Sequence, residues 1–463
     1  MSGGSGRRYF GTDGIRGAVD SPEMAPDRIL RLGAAAGRVL CPDAQGLVLI
    51  GCDTRVSGPI LESALESGLA SAGADVGLLG VVPTPGIAYL TRTLGARAGI
   101  VISASHNPYT DNGIKFFGPD GRKLDDAREA AIEDVLDGAF RTVTADQFGR
   151  VRRFADAVGR YVEFCKGTVP HGLRLDGMRI VLDCAHGAGY EVAPAVLAEM
   201  GAEVIPIGVN PDGCNINQEC GSTKPQAMAE RVISEQAHLG LALDGDGDRV
   251  VMADEHGWIR DGDHLLYVIA RSRQRHGNLH GPVVGTVMSN LGLEHALAGA
   301  GMEFRRTRVG DRHVMETLHQ SGGYLGGESS GHIICLDRTS TGDGVVSGLQ
   351  VMAEMVEQGR SLAELCEGYT PYPQQMINVR IREQPIVMDT PDLQAAIEAA
   401  ETRLGDAGRV LVRPSGTEPL VRVMVEGRDM DQVKEEVEGL ADIVRRLSGT
   451  GGGEKIDLPK QSG

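Results

Sequence analysis

The run GLVLIGCDTRVSGPILESALESGLA, residues 46–70, decides the fold. Residues 46–51 are short and almost wholly apolar, as in a strand buried on both faces. The polar turn CDTRVSGP follows, and a helix is predicted from Ile60, with Ser57 near its N-cap and Pro59 in its first turn. Ile60, Leu61, Ala64, Leu65, Gly68 and Leu69 recur at helical spacing, which predicts one buried face. The same unit returns at 178–184 (MRIVLDC, then AHGAGY, then a helix through Leu197). It returns again at 282–288 (PVVGTVM, then SNLG, then a helix near 293–300). Alternation of strand and helix implies parallel or mixed sheets covered by helices.

Three α/β domains are therefore expected, over 1–155, 156–255 and 256–370. The last stretch reads differently. Residues 375–382 alternate like a half-buried strand, a helix is predicted at 392–404, paired strands at 409–412 and 420–426, and a closing helix at 430–447. That is a separate α+β domain over 371–448. Residues 449–463 are Gly-rich and polar and are expected to be a disordered tail.

Composition narrows the function. The 463 residues carry a formal net charge of −17, which argues against binding nucleic acid or an anionic membrane. At 41% hydrophobic residues the chain can build real cores. The 65 glycines lack a collagen-like period and suggest many tight loops. The eight cysteines form no C-x-x-C pair and read as scattered reduced thiols. The opening MSGGSGRRYFGTDG lacks the apolar stretch of a signal peptide, and no apolar run is long enough for a bilayer. A cytoplasmic protein is expected.

Four segments carry chemistry. In GIVISASHNP (99–108) a strand ends in a loop holding Ser103, Ser105, His106 and Asn107, where a hydroxyl can act as nucleophile or phosphoryl carrier or merely cap a turn. In DGDGDR (244–249) three carboxylates repel one another unless a cation holds them, and hard oxygen ligands suit Mg²⁺ or Ca²⁺. An EF-hand is opposed by Arg249, where that loop needs glycine, and by flanks that read as strands. GGESSGH (326–332) reads either as an ordinary polar turn or as a loop offering Glu328, Ser330 and His332 to a hydroxyl-rich ligand, with His332 able to move protons. RPSGTEP (413–419) with Arg422 offers hydroxyls, backbone N–H groups and two guanidiniums for a phosphate; no GK[ST] follows, so it is not a Walker loop. GTDGIRG (11–17), DNGIKF (111–116) and RVGDR (308–312) add cations. Cationic glycine-rich loops in an acidic chain suggest a cleft built for an anionic ligand.

In this order, the segments resemble the α-D-phosphohexomutase superfamily from Arg8 to about Leu447. The stretches YFGTDGIRG, GIVISASHNPYTDNGIKFF, LDGDGDRV and GRVLVRPSGTEPLVRVMVEG are closest to its branch acting on glucosamine phosphates. The resemblance implies four domains around a central cleft, and interconversion of glucosamine 6-phosphate and glucosamine 1-phosphate, a step toward UDP-N-acetylglucosamine and cell-wall polymers. It implies a phosphorylated Ser105, with one Mg²⁺ per subunit at Ser105, Asp244, Asp246 and Asp248. It implies sugar contacts from Glu328 and Ser330 and a phosphate grip from Arg413, Ser415, Gly416, Thr417 and Arg422. Lys115 and His332 match residues of proton transfer or charge stabilisation, and Arg16 and Arg249 match basic residues near the reacting phosphate. A sugar bisphosphate activator and a homodimer also follow from it. The Pro-rich stretch at 369–373 suggests a hinge that would let the bisphosphosugar turn. The competing readings are a phosphomannomutase or phosphoglucomutase, a metal-dependent phosphatase, and a Ca²⁺- or sugar-phosphate-binding regulator without turnover.

Overall fold

In the computed structural model, which describes residues 8–11, 13–43, 45–381, 390–414 and 419–448, the strand read from the quoted run is central in its sheet. The first sheet holds β1 (Ile15–Ala18), β2 (Leu47–Cys52), β3 (Asp75–Val81), β4 (Ala98–Ile102), β5 (Asp111–Phe117) and β6 (Val151–Arg153), in the order β1-β5-β4-β2-β3-β6. The second holds β7 (Arg179–Asp183), β8 (Glu203–Ile207), β9 (Leu239–Leu243), β10 (Val250–Ala253) and β11 (Ile259–Arg260), in the order β11-β10-β9-β7-β8. The third holds β12 (Val283–Thr286), β13 (Phe304–Thr307), β14 (Leu325–Gly327) and β15 (Ile333–Cys335), in the order β13-β12-β14-β15.

One plan underlies all three. The first strand lies between two parallel partners: β2 between β3 and β4, β7 between β8 and β9, β12 between β13 and β14. A further strand then returns antiparallel, as β4–β5, β9–β10 and β14–β15. The mixed sheets expected from the alternation are thus present. The three returning connections carry Ser105, the Asp244–Asp248 run and the Glu328–His332 run.

Two details depart from the sequence reading. The helix Gly58–Ser71 buries Leu61, Ala64, Leu65, Gly68 and Leu69, but Ile60 is 57% exposed. It lies about 100° round the helix from Leu61 and so off the buried stripe. Ser57 does occupy the N-cap, but its hydroxyl does not cap; it accepts from Asn112 Nδ2 at 2.8 Å.

Among the described residues, those up to 288 together with 302–367 form one compact unit, which contains these three sheets. The second unit joins 289–301 to the described residues between 368 and 448. Its sheet is antiparallel throughout, β16 (Gln374–Arg380) and β17 (Gly408–Pro414) flanking β18 (Leu420–Gly427). Helices Pro391–Leu404 and Met430–Leu447 cover it, as the sequence predicts for this α+β region. The helix Leu291–Gly299, read from sequence with the third α/β domain, belongs to this unit: the Leu291 N–H donates to the Glu426 carboxylate at 3.1 Å, and Asn290 exchanges hydrogen bonds with the Tyr372 backbone. Residue 382 of the predicted strand and the tail 449–463 lie outside the described residues.

A buried pair ties the second α/β layer to the third. Tyr161, on the helix Ala157–Lys166, donates its hydroxyl to Asp343 at 2.8 Å. Asp343 also caps the helix Gly344–Gln358 by accepting from the Val346 N–H. Burial pushes the Asp343 carboxyl up to about 6, against the pull of these two donors. Protonation of Asp343 therefore adds stability that is complete below the ordinary carboxylate range, about 4, and is lost as pH rises through about 6. Tyr161→Phe removes one donor, costing about 1–3 kcal/mol. The loss in melting temperature is expected to be larger at pH 8, where the carboxylate is charged, than at pH 5; equal losses at both would refute the linkage.

Candidate active site

Ser105 follows the end of β4 in a left-handed conformation, φ 52°, and its side chain is buried. Its Oγ donates to Asp244 Oδ2 at 2.5 Å, and its N–H donates to Ser103 Oγ at 3.0 Å. The aspartates lie in the tight turn between β9 and β10, a hairpin and not a helix-flanked EF-hand loop. Gly245 in that turn must be glycine: a Cβ there would stand 2.5 Å from the Ser105 carbonyl oxygen.

Asp244, Asp246 and Asp248 are all buried, and each offers an oxygen within 4.8 Å of the others. Burial pushes the Asp244 carboxyl well up, and the charges of Asp246 and Asp248 push it further. Asp246 Oδ1 is buried and takes part in no hydrogen bond among the described residues. Converging buried carboxylates with such an oxygen left over fit a hard divalent cation.

Cations enclose this cluster. Lys115, on β5 and buried, places Nζ 2.8 Å from Asp246, 3.2 Å from Asp13 and 3.8 Å from Asp248. Burial alone favours its neutral amine, but the three carboxylates outweigh it and raise its pKa. Asp13 also pairs with Arg16 and Lys123, and Lys123 reaches Asp311 at 2.5 Å. Burial opposes ionisation of Asp13 too, yet Lys115, Lys123 and Arg16 hold it well below the usual carboxylate range. His332 closes the ring, with Nδ1 3.5 Å from Asp248 and Nε2 3.7 Å from Asp311. Burial lowers its pKa, but the two carboxylates overcome this and bring it up to about 9. The Arg249 N–H donates to Asp244 at 3.2 Å.

The third loop abuts the second: the Val250 N–H donates to the Gly331 carbonyl, and the Gly344 N–H to that of Gly247. A Cβ at Gly342 would run into the His332 ring, so the glycine leaves room for the imidazole. Glu328 is half-buried and accepts from the Gly310 N–H at 2.9 Å, while Ser330 is exposed. In the second unit, Arg413 and Arg422 are direct cross-strand partners on β17 and β18. Burial and then the Arg422 charge lower the Arg413 pKa, and the buried Arg422 Nε donates to no group among the described residues. Two like charges directly opposed are unfavourable without an anion between them. Ser415, Gly416 and Thr417 lie outside the described residues.

Sequence reasoning missed several supports. Thr84 donates its hydroxyl to Asp246 at 2.7 Å. Asp53 and Arg55, read only as turn residues, form a buried ion pair; Asp53 accepts from Ser103, and Arg55 donates to the carbonyls of Ser105 and Asn107 at 3.2 and 2.6 Å. A charged pair just beyond an apolar strand was the available signal for these two. Lys123 lies in the turn after β5 and Asp311 opens the helix Asp311–Ser321, and only the tertiary fold reveals their pairing.

Residues 7–141, 159–257 and 261–372 match alpha/beta/alpha domains I, II and III of the phosphoglucomutase/phosphomannomutase family, and 376–443 match its C-terminal domain. This domain series, with the serine set on a carboxylate triad, defines a phosphohexomutase. Among known proteins, a phosphoglucosamine mutase of Halorhodospira halophila (strain DSM 244 / SL1) is 59% identical over 95% of this chain and 96% of its own length. One of Legionella pneumophila (strain Paris) is 53% identical over 96% and 97%. The chain belongs to the phosphoglucosamine mutases of the phosphoglucomutase/phosphomannomutase family. Among solved structures, a family protein from Burkholderia thailandensis shares the fold with TM-score 0.79 at 23% identity, covering 96% of this chain and 98% of that one. So does an N-acetylphosphoglucosamine mutase of Aspergillus fumigatus solved with GlcNAc-6P and magnesium, with TM-score 0.68 at 18% identity and 96% coverage of both chains.

Proposed function

We propose that the protein interconverts glucosamine 6-phosphate and glucosamine 1-phosphate through a phosphorylated Ser105 and a bisphosphosugar, supplying the precursor of UDP-N-acetylglucosamine. The observation that carries this is Ser105 Oγ seated 2.5 Å from Asp244 in a buried carboxylate triad, in a chain 59% identical to a phosphoglucosamine mutase. Ser105 Oγ is the phosphoryl carrier. In the forward half-reaction its P–O bond breaks and a new one forms to the free sugar hydroxyl. The proton of that hydroxyl replaces the one given to the departing serine oxygen. The bisphosphosugar then presents its other phosphate, which returns to Ser105.

Asp244, Asp246 and Asp248, with the serine-borne phosphate, would hold a Mg²⁺, which when bound neutralises the crowded anions and polarises the transferred phosphoryl group. Lys115 and His332, both held as cations by neighbouring carboxylates, stabilise charge on the moving phosphoryl group and supply the proton to the leaving oxygen. Arg16 adds positive charge beside Asp13, and Arg249, with Nε 3.9 Å from Asp248, adds it beside the triad. Glu328 and Ser330 read sugar hydroxyls. Arg413 and Arg422, with Ser415, Gly416 and Thr417, grip the phosphate that is not reacting. A sugar bisphosphate serves as activator, the active species is a homodimer, and the setting is the cytoplasm. All eight cysteines are unpaired, as in a reducing compartment, and among the described residues no helix is long and apolar enough to cross a membrane.

Phosphorus NMR tests the reading. With Mg²⁺ and a trace of sugar bisphosphate, the 6-phosphates of glucosamine, glucose and mannose are supplied separately. The fastest growth of a 1-phosphate signal is expected from glucosamine, and a chelator should abolish it. Faster conversion of glucose or mannose would reassign the substrate, and release of inorganic phosphate alone would overturn the mutase.

A further inference from the structure

We infer that Asn217 is a positioning residue for the reacting serine, contributed by the domain that carries the aspartates. Its side-chain amide donates both hydrogens, one to the Ser105 carbonyl at 2.9 Å and one to the Asn107 carbonyl at 3.0 Å. Arg55 donates to the same two carbonyls from the first domain. The serine loop is thus pinned on one side by its own domain and on the other by the loop that follows β8. Asn217 is suited to this place twice over. It sits at φ 58°, which asparagine tolerates better than most residues, and its N–H donates to Ala185 at 2.9 Å, fixing its own loop.

The positioning matters because Ser105 is itself left-handed, φ 52°, a conformation that serine holds only when its surroundings impose it. Relaxing that backbone swings Oγ away from Asp244. Two carbonyl oxygens converging on one point also repel each other unless donors stand between them. Removing the amide leaves Arg55 alone to do this, and the serine loop loses its tie to the loop that follows β8. The inference rests on Ser105 being the phosphoryl carrier.

Two variants test it. Asn217→Gly accepts φ 58° and removes the amide. Asn217→Asp keeps the shape and sets carboxylate oxygens against the two carbonyls. In both, kcat is expected to fall about 10- to 100-fold, the range set by a misplacement of roughly 1 Å at a reacting group. KM for the sugar phosphate should stay within about threefold, the melting temperature should change little for the glycine variant, and more inorganic phosphate should be released per isomerisation. Retention of kcat by either variant overturns the inference. A rise in KM with kcat unchanged also overturns it, since that assigns Asn217 to substrate binding. Intact-mass measurement of the unsubstituted protein separates the two levels. Phosphate on Ser105 with unaffected variants refutes the role of Asn217 alone, whereas a Ser105 that never carries phosphate removes the underlying reading as well.

Discussion

Replacing Ser105 by alanine is expected to lower turnover at least about 10³-fold, the scale on which removal of a covalent nucleophile acts. The fold should survive. Only one hydrogen bond of the side chain is lost at short range, that from Oγ to Asp244 at 2.5 Å. Burial and its two neighbours push the Asp244 carboxyl up, and loss of the serine donor removes one of the pulls that oppose this. Losing a donor to a buried acceptor costs about 1–3 kcal/mol, a modest drop in melting temperature. The serine backbone remains fixed by Arg55 and Asn217, whose hydrogen bonds go to carbonyls and not to the side chain. Intact mass should show no phosphate taken from a sugar bisphosphate, while binding of that ligand persists. Half the activity surviving would sink the phosphoserine assignment outright.

The legible parts of this protein are those with local signals. The apolar run at 46–51 and its two counterparts mark the central strands of three sheets, and the alternation near 375–382 marks β16, because strand burial is written in residue type at short range. The aspartate run is legible as a converging carboxylate cluster that could hold a cation for a similar reason: three carboxylates within five residues are unfavourable unless something binds them. The antiparallel return of β5, β10 and β15 has no such signature, since pairing direction depends on contacts far apart in sequence. Asn217 shows the same limit from another side. It lies 112 residues from Ser105, and a lone asparagine in a polar loop gives no hint of which carbonyls it will meet. Ile60 shows how an apolar residue one step off the buried stripe reads as core when only spacing is considered.

Lys115→Met should produce the largest loss of stability among the site residues. Methionine retains the length of the stem and removes the ammonium, so Asp13, Asp246 and Asp248 lose a buried partner together. Breaking a buried ion pair from one side costs about 3–5 kcal/mol, because the remaining charge has neither water nor a counter-ion. The pH dependence follows from direction. In the native protein, burial works against ionisation of Asp246, but Lys115 and the hydrogen bonds of Lys115 and Thr84 hold its carboxyl below the usual range, as the Lys and Arg neighbours do for Asp13. Carboxylates with depressed pKa values contribute stability that is present above about 4 and is lost as pH falls through the folded values. The gap in melting temperature between native protein and variant should therefore be widest at neutral pH and narrow on acidification. Millimolar Mg²⁺ should raise the variant's melting temperature more than the native protein's, since a cation at the triad takes over part of the missing charge. Turnover should fall by about 10²- to 10⁴-fold, the range for loss of a general acid. A variant that lost stability but kept its kcat would reduce Lys115 to a counterweight for the aspartates. One that kept both would show that the ion pairs around Asp246 contribute nothing net.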